Sequence, residues 1–127
     1  MYLFLSSKDS LHTHPSNTCW DFTVTLPKTL NLNGKWVCSL ADIAYSNKLK
    51  GKDLYIFCDL CEGSCIQGKI LPILRIVDRS ETFIKLYDMD VSRSQISQLR
   101  LYITGSDLQK PSFSSESLKC TLRLRKK

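Results

Sequence analysis

The sequence has no apolar run long enough to cross a lipid bilayer. Its longest apolar stretch, Ile70 to Val77, is interrupted by Pro72 and Arg75, whereas a transmembrane helix needs about 20 apolar residues. The opening residues MYLFLSSKDS lack the positive start and the extended apolar segment of a secretory signal. These absences exclude a membrane-spanning class and predict a soluble protein in reducing surroundings, where cysteines remain thiols.

Catalytic motifs are scarce. The two histidines, His12 and His14, lie in a loop-like segment, so a Ser/His/Asp or Cys/His arrangement would have to recruit one of them. No G-x-S-x-G nucleophile elbow occurs, and Gly105-Ser106-Asp107 is typical of a turn. Asp88 and Asp90 share a strand face, but carboxylates in that position are ordinary surface groups. The sequence therefore favours a protein that is not an enzyme and has no small-molecule substrate.

One segment, Glu62 to Pro72, resembles part of a phosphate-binding loop, since EGSCIQGKILP contains G-x-x-x-x-G-K. The position that should carry the magnesium-binding hydroxyl is Ile70. The residues that follow, ILPILRIV, are typical of a buried strand, whereas a phosphate loop opens a helix. We therefore predict a glycine-containing connection between strands at this point, and no nucleotide or other cofactor.

Six cysteines are present, and three of them form C-x2-C-x3-C at Cys58, Cys61 and Cys65. A zinc site would need a fourth ligand such as His12 or His14, and no second C-x2-C or H-x3-H pair accompanies the first. On a continuous strand Cys58 and Cys61 would also face opposite sides. Buried or loop cysteines acting as small hydrophobic residues are the favoured interpretation, and these three remain weak metal candidates.

Period-two alternation is the main structural signal. Leu118, Cys120, Leu122 and Leu124 alternate with polar residues at the end of the chain, which predicts a strand with one apolar face. Trp20 to Leu26 alternates likewise and is expected to end at Pro27. Lys35 to Tyr45 follows an Asn-Gly turn signal and is expected to have both faces partly covered.

Shorter segments complete the prediction of secondary structure. Additional strands are expected at Tyr2 to Leu5, Leu54 to Leu60, Ile66 to Val77, Phe83 to Tyr87 and Leu99 to Thr104, with one helical turn in Val91 to Gln98. With 43% hydrophobic and 24% charged residues, the 127-residue chain has the composition of one globular domain. We therefore predict a single all-β domain over residues 1–127, built as a jelly-roll-like sandwich of about eight strands.

The run LNLNGKWVCSLADIAYSN contains most of the pattern L-x-G-x-W-x-V-x-L-x-E-I-x-Y. The matching positions are Leu32, Gly34, Trp36, Leu40, Ile43 and Tyr45, with Cys38 in place of the valine and Asp42 in place of the glutamate. This pattern resembles proteins encoded by Polinton (Maverick) elements and related adintoviruses. The likeness continues in collinear order through FLSSKDSLHTHPSNTCWDFTVTLPKTL, LPILRIV, VSRSQISQLRLYITGSDLQKPSF and CTLRLRK. The Cys61 to Cys65 segment has no counterpart in that family.

The resemblance implies a jelly-roll virion protein, with a minor capsid or penton-like subunit as the favoured assignment. Such a protein would be made in the host cytoplasm or nucleus and would act in the virion by association, as a homo-oligomer, preferably a pentamer, or by docking to other capsid proteins. Tyr45, Tyr87 and Phe113 are candidate interface anchors, although aromatic side chains at the edge of the core are the more common alternative.

Charge supports a second hypothesis, a small basic viral domain that binds nucleic acid. The net charge is +6, and the basic residues collect in two clusters. One cluster consists of Lys48, Lys50 and Lys52, and the other of Arg123, Arg125, Lys126 and Lys127. Such clusters can contact phosphates without sequence specificity, or they can simply form a solvated surface. Neither cluster is interleaved with aromatic residues, so stacking on single-stranded bases is not expected.

Overall fold

The computed structural model of the protein describes residues 1–112 and 117–127, and within these residues the chain forms β-strands and one short 3₁₀ turn. The strands are β1 (Tyr2–Ser6), β2 (Asp21–Asn31), β3 (Trp36–Ala44), β4 (Leu54–Cys58), β5 (Ser64–Ile66), β6 (Lys69–Leu71), β7 (Ile73–Val77), β8 (Glu81–Thr82), β9 (Met89–Asp90), β10 (Gln95–Gly105) and β11 (Lys119–Lys126), and the 3₁₀ turn is Asn47–Leu49. The prediction of an all-β protein is confirmed. Across residues 1–112 and 117–127, no helix has the length and apolar character needed to span a bilayer.

The strands form two main antiparallel sheets and one small hairpin. Sheet A has the order β1-β11-β3-β8, with β9 also pairing with β3, and sheet B has the order β2-β10-β4-β7. The pairs are nested along the chain, because β1 pairs with β11, β2 with β10, β3 with β8 and β9, and β4 with β7. The chain therefore behaves as one long hairpin whose two arms stay paired while it passes back and forth between the sheets.

Most of the buried apolar side chains form one cluster that draws on both sheets. Leu5, Leu40 and Leu122 come from sheet A, while Phe22 and Leu101 come from sheet B. Apolar faces of two sheets that share one core make a β-sandwich. The alternation in β11 is the one predicted, since Cys120, Leu122 and Leu124 are all buried in this cluster.

A bulge in β3 explains why this strand has apolar residues on both of its apparent faces. The register with β11 shifts between Thr121 and Leu122, which pair with Asp42 and Leu40, so Ala41 is the extra residue. An extra residue reverses the alternation beyond it. Leu40 and Ile43, which a regular strand would place on opposite sides, therefore both belong to the core.

Strand β2 does not end at Pro27, and the expectation that it would is wrong. The strand continues to Asn31, but its register with β10 is irregular around this proline, because Thr25 pairs with Gln98 and Leu30 with Ile96. Since β2 is the outermost strand of sheet B, a residue without an N–H can lie there without removing a bond from the centre of the sheet.

Three other expectations are corrected. The single strand predicted at Ile66 to Val77 is divided into three pieces, because β5 and β6 form their own hairpin and Pro72 separates β6 from β7. The strand predicted at Phe83 to Tyr87 is absent, and that segment connects β8 and β9. The helical turn predicted in Val91 to Gln98 is also absent, since β10 begins at Gln95 and sheet pairing overrides the local capping signal.

The glycine-lysine segment forms the β5–β6 hairpin. Gln67 and Gly68 occupy its two-residue turn with φ values of 51° and 77°, as a type I′ turn requires. The G-x-x-x-x-G-K pattern is therefore a connection between strands, as predicted, and it does not lead into a helix.

Candidate assembly surfaces

An aromatic loop between β8 and β9 is organised around Arg75. The guanidinium carbon of Arg75 lies 3.7 Å from the ring centroid of Phe83 and 4.2 Å from that of Tyr87, so the cation sits between two rings. Nη1 of Arg75 also donates a hydrogen bond of 2.8 Å to the backbone carbonyl of Lys85. The cation–π contacts, this hydrogen bond and a 2.9 Å bond from the Phe83 N–H to the Ala41 carbonyl of β3 together hold the segment.

The tip of this loop is apolar and exposed. Ile84 is fully exposed, Tyr87 is 47% exposed, and Ile76 on the neighbouring strand β7 is 50% exposed. We call Arg75, Phe83, Ile84 and Tyr87 the aromatic loop patch. A fully exposed isoleucine on a loop held by a cation–π sandwich is a preformed apolar projection, which is the chemistry of an interface anchor.

The three predicted interface aromatics are placed differently. Tyr87 lies at the surface, within the aromatic loop patch. Tyr45 is only 9% exposed and packs in the core, so its prediction as an interface anchor is wrong and the alternative of a core aromatic is correct. Burial, followed by the nearby Asp78 carboxylate, raises the pKa of Tyr45 to about 12. Phe113 lies outside the described residues.

The basic cluster at the end of the chain is largely ion-paired. Arg123 and Arg125 both reach Asp88, at 3.4 Å and 2.7 Å, and Lys127 reaches Asp90 at 2.6 Å. The Arg125 guanidinium, with Arg123 beside it, lowers the pKa of the Asp88 carboxyl. Since two carboxylates compensate three of the four cations, this cluster presents less positive charge than the sequence suggests.

The second basic cluster lies at the other end of sheet A. Lys48, Lys50 and Lys52 are exposed in and after the 3₁₀ turn that follows β3. Lys119 pairs with Ala44 at this end, whereas Lys126 pairs with Trp36 at the far end. At ~3.4 Å per residue these positions are roughly 25 Å apart, so the fold does not join the two clusters into one basic surface.

Of the cysteines proposed as weak metal candidates, Cys65 lies apart from the other two. Cys58 and Cys61 are buried, whereas Cys65 is exposed on the β5–β6 hairpin. The side chains of Cys58 and Cys61 are hydrogen-bonding neighbours in the core, and the Cys61 side chain is likewise a neighbour of Cys38 on β3. Across residues 1–112 and 117–127, no group of three or more His, Cys, Asp or Glu side chains is placed to hold a metal ion.

These buried thiols are held in the neutral form. The hydrogen bond to Cys61, followed by burial, raises the pKa of Cys58 well above the usual range. The hydrogen bond to Cys38, followed by burial, raises the pKa of Cys61. Because the thiolate is the nucleophile and metal ligand, thiols kept protonated in the core act as small hydrophobic groups.

Three of the residues considered for catalysis, His14, Asp88 and Asp90, have structural partners, and His12 is exposed. Nε2 of His14 lies 2.9 Å from Oγ1 of Thr25, which connects the loop before β2 to that strand. Asp88 and Asp90, the paired carboxylates of the sequence analysis, are the ion-pair partners of Arg125 and Lys127. These three contacts stabilise the surface arrangement of strands.

A groove on the outer face of sheet B was not foreseen from the sequence. Its volume is about 490 Å³, and its floor contains Asp21, Arg100 and Tyr102. Arg100 donates two hydrogen bonds to the Asp21 carboxylate, at 2.8 Å and 2.7 Å, and lies over the ring of Tyr102, which stacks on Phe57. Asp21 and Arg100 are 79 positions apart, so no local sequence pattern could have indicated that these side chains contact each other.

No protein-family model matches the chain, and no characterised protein or solved structure is significantly similar to it.

Proposed function

We propose that the chain is a jelly-roll subunit of a viral particle, a minor capsid or penton-like protein of the Polinton and adintovirus type. The nested strand pairing carries this proposal. A jelly roll is a long antiparallel hairpin rolled into two sheets, so its first strand pairs with its last, its second with its seventh, and so on. The pairs β1–β11, β2–β10, β3–β8/β9 and β4–β7 follow that order.

Function in such a subunit is association, without catalysis or a cofactor. A heterologous contact repeated around a rotation axis closes into a ring, and we expect a homo-oligomer, preferably a pentamer, that also docks to other capsid proteins. The aromatic loop patch supports this proposal because it projects Ile84 and Tyr87 from a loop that is already ordered. Preformed apolar anchors lower the ordering cost of binding. The site of action is the virion.

A basic viral domain that binds nucleic acid is the second candidate. The exposed lysines Lys48 and Lys50 favour it, because they share one turn with Lys52 and have no carboxylate within ion-pair distance in the described part of the chain. The ion pairs of Asp88 and Asp90 argue against the same role for Arg123, Arg125 and Lys127. We therefore propose that any phosphate contact of this protein is made by the turn that carries Lys48, Lys50 and Lys52.

Mass spectrometry of purified particles tests the proposal directly. Particles from cells that carry the element encoding this chain should contain the polypeptide in a fixed ratio to the major capsid protein. Its absence from particles of confirmed purity would refute the virion assignment. Multi-angle light scattering of the purified protein should in addition reveal a discrete oligomer that does not depend on added nucleic acid.

A pair of variants tests the aromatic loop patch. Ile84→Ser changes a fully exposed side chain, so it should leave the fold intact and weaken oligomerisation by at least tenfold, as loss of a central anchor does. Ile70→Ser is the matched control, since Ile70 is 70% exposed on the separate β5–β6 hairpin. Equal weakening by both variants would point to general surface hydrophobicity, and no weakening by Ile84→Ser would exclude the patch.

A further inference from the structure

Strand β1 is an edge strand with unused backbone hydrogen-bonding groups. Met1 and Leu124 exchange both of their backbone bonds, at 3.1 Å and 2.8 Å, and Ser7 donates to Leu118 at 2.8 Å. Residues of an antiparallel strand alternate in direction, so Met1, Leu3, Leu5 and Ser7 face β11. Tyr2, Phe4 and Ser6 therefore direct their N–H and C=O groups away from the sheet.

Two of these three outward positions have no partner among the described residues. The Ser6 groups are satisfied locally, because its N–H donates to the Asp9 carboxylate and its carbonyl accepts from the Asp9 N–H, both at 2.9 Å. No strand in residues 1–112 and 117–127 lies beyond β1 in sheet A. Tyr2 and Phe4 thus offer two donors and two acceptors on an open edge.

The side chains at the same positions are aromatic and exposed. Tyr2 is 55% and Phe4 is 77% exposed, and their rings stack with centroids 6.4 Å apart. The strand YLFLS contains no charged residue and no proline, the features that usually protect an edge. The edge strand β2 of sheet B is different, since Asn17 bonds both backbone groups of Thr23, Ser10 bonds the Thr25 N–H, and Pro27 follows.

We propose that β1 is a self-association edge, at which two copies of this chain pair antiparallel about a two-fold axis through Leu3. In this register Tyr2 faces Phe4 of the second copy, and each residue of a pair donates its N–H to the carbonyl of the other. The two equivalent pairs give four backbone hydrogen bonds, and Leu3 meets its own copy between them. The pattern is self-complementary, as a two-fold contact requires.

Charge is compatible with a second copy as the occupant. Arg123 lies beside Tyr2 in the sheet and Thr121 lies beside Phe4. Each row across the joined sheets therefore reads Arg123, Tyr2, Phe4 and Thr121, which places no like charges opposite each other. The Arg123 guanidinium is also paired with Asp88 in its own chain. The contact is distinct from the proposed ring contact, because a two-fold pairing cannot itself close a five-membered ring.

Cross-linking tests the register. Leu3→Cys in a Cys65→Ser background should form a disulfide-linked dimer under mild oxidation, because residues of a non-hydrogen-bonded antiparallel pair have Cα atoms about 4.5 Å apart, within disulfide range. Leu11→Cys in the same background is the matched control on an exposed loop position, and it should remain largely monomeric on a non-reducing gel. Equal cross-linking of the two variants would refute the pairing.

Sedimentation equilibrium tests the hydrogen bonds. Phe4→Pro removes an N–H that points away from β11, so β1 stays in the sheet while dimerisation weakens by at least tenfold. Phe4→Thr keeps the N–H and should weaken it less. Ile84→Ser should leave this dimer unchanged even if it disrupts the ring, so the two contacts fail separately. A protein that stays monomeric to millimolar concentration, or a dimer unaffected by Phe4→Pro, would overturn the proposal.

Discussion

Cγ2 of Ile70 lies so close to Gly63 that a Cβ atom on residue 63 would clash with it. Gly63 precedes β5, and Ile70 is the central residue of β6, so this contact brings the start of the hairpin directly against its returning strand. The glycine is needed here for space, independently of its backbone conformation.

We predict that Gly63→Ala destabilises the β5–β6 hairpin by about 1–3 kcal/mol, the usual cost of overpacking. Hydrogen exchange of the amides from Ser64 to Leu71 measures this local opening. The double variant Gly63→Ala with Ile70→Ala removes the obstructing methyl group and should restore most of the protection. If Gly63→Ala lowers the stability of the hairpin equally with Ile70 present and with Ile70→Ala, the steric explanation is wrong.

Protein stability should fall steeply above pH 8.5. The pKa of Cys58 is raised by its hydrogen bond to Cys61 and by burial, that of Cys61 by its bond to Cys38 and by burial, and that of Cys120 by burial. In the unfolded chain a thiol ionises near pH 8.5. The stabilisation is therefore complete below that pH and is lost as the pH rises toward the folded-state values.

Above about pH 8.5, each of these three thiols should raise the unfolding equilibrium constant by about tenfold per pH unit. Urea unfolding in a non-thiol reductant between pH 7 and 10 measures the slope. Cys120→Val, a close apolar replacement, should reduce the slope by about one proton, while Cys65→Ser at the exposed position should not. A slope that Cys120→Val leaves unchanged would contradict the assignment.

Removing the carboxylates that compensate the terminal basic cluster should strengthen polyanion binding. Asp88→Asn with Asp90→Asn releases Arg123, Arg125 and Lys127 from their ion pairs. We expect higher affinity for duplex DNA and a steeper salt dependence, by about 0.9 in logarithmic slope for each new phosphate contact. Fluorescence anisotropy at two salt concentrations measures both quantities.

The control for that experiment changes the net charge equally at another place. Glu62→Gln with Asp107→Asn alters two exposed carboxylates that make no ion pair with the terminal cluster. If this pair of changes raises the affinity as much as the first pair does, then overall charge and not the released cations controls binding.

The stability of the aromatic loop should depend on the contacts of Arg75 with the rings of both Phe83 and Tyr87. Arg75→Met retains a long side chain but loses the cation, and we expect a loss of about 1–3 kcal/mol in loop stability. Arg75→Lys should be intermediate, because an ammonium group cannot stack between two rings as a planar guanidinium does. A double-mutant cycle of Arg75→Met with Phe83→Leu, followed by urea unfolding, should give a coupling of about 0.5–1 kcal/mol, and strict additivity would exclude the contact.

Local alternation accounts for the parts of the fold that the sequence predicts well. β11 and the first half of β2 have apolar residues at every second position, and their side chains lie on opposite sides for steric reasons internal to one strand. The turn of the glycine-lysine hairpin follows from Gly68, which tolerates positive φ, whereas the positive φ of Gln67 is uncommon for its residue type and could not be predicted. Phe83 to Tyr87 has a similar composition but is not a strand, although the Phe83 N–H still donates to the Ala41 carbonyl of β3, so the same reasoning fails there.

Among the site residues, Tyr87 and Tyr45 show the limit of that reasoning. Both are aromatic residues near strand ends, yet one lies at the surface and the other in the core. The pairing of Asp88 with Arg123 and Arg125, across 35 and 37 positions, likewise cannot be derived from spacing.

The residue order alone indicates that most of the chain is extended, which side chains share a face within a regular strand, and where several turns lie, because these properties arise within a few covalent bonds. Folding assigns the rest: that Ala41 reverses the alternation of β3, that Asp88 compensates two arginines, and that β1 is left at an edge with Tyr2 and Phe4 unpaired. Those outcomes depend on which strands become neighbours. Neighbours are selected by the burial of one shared core, a property of the whole chain.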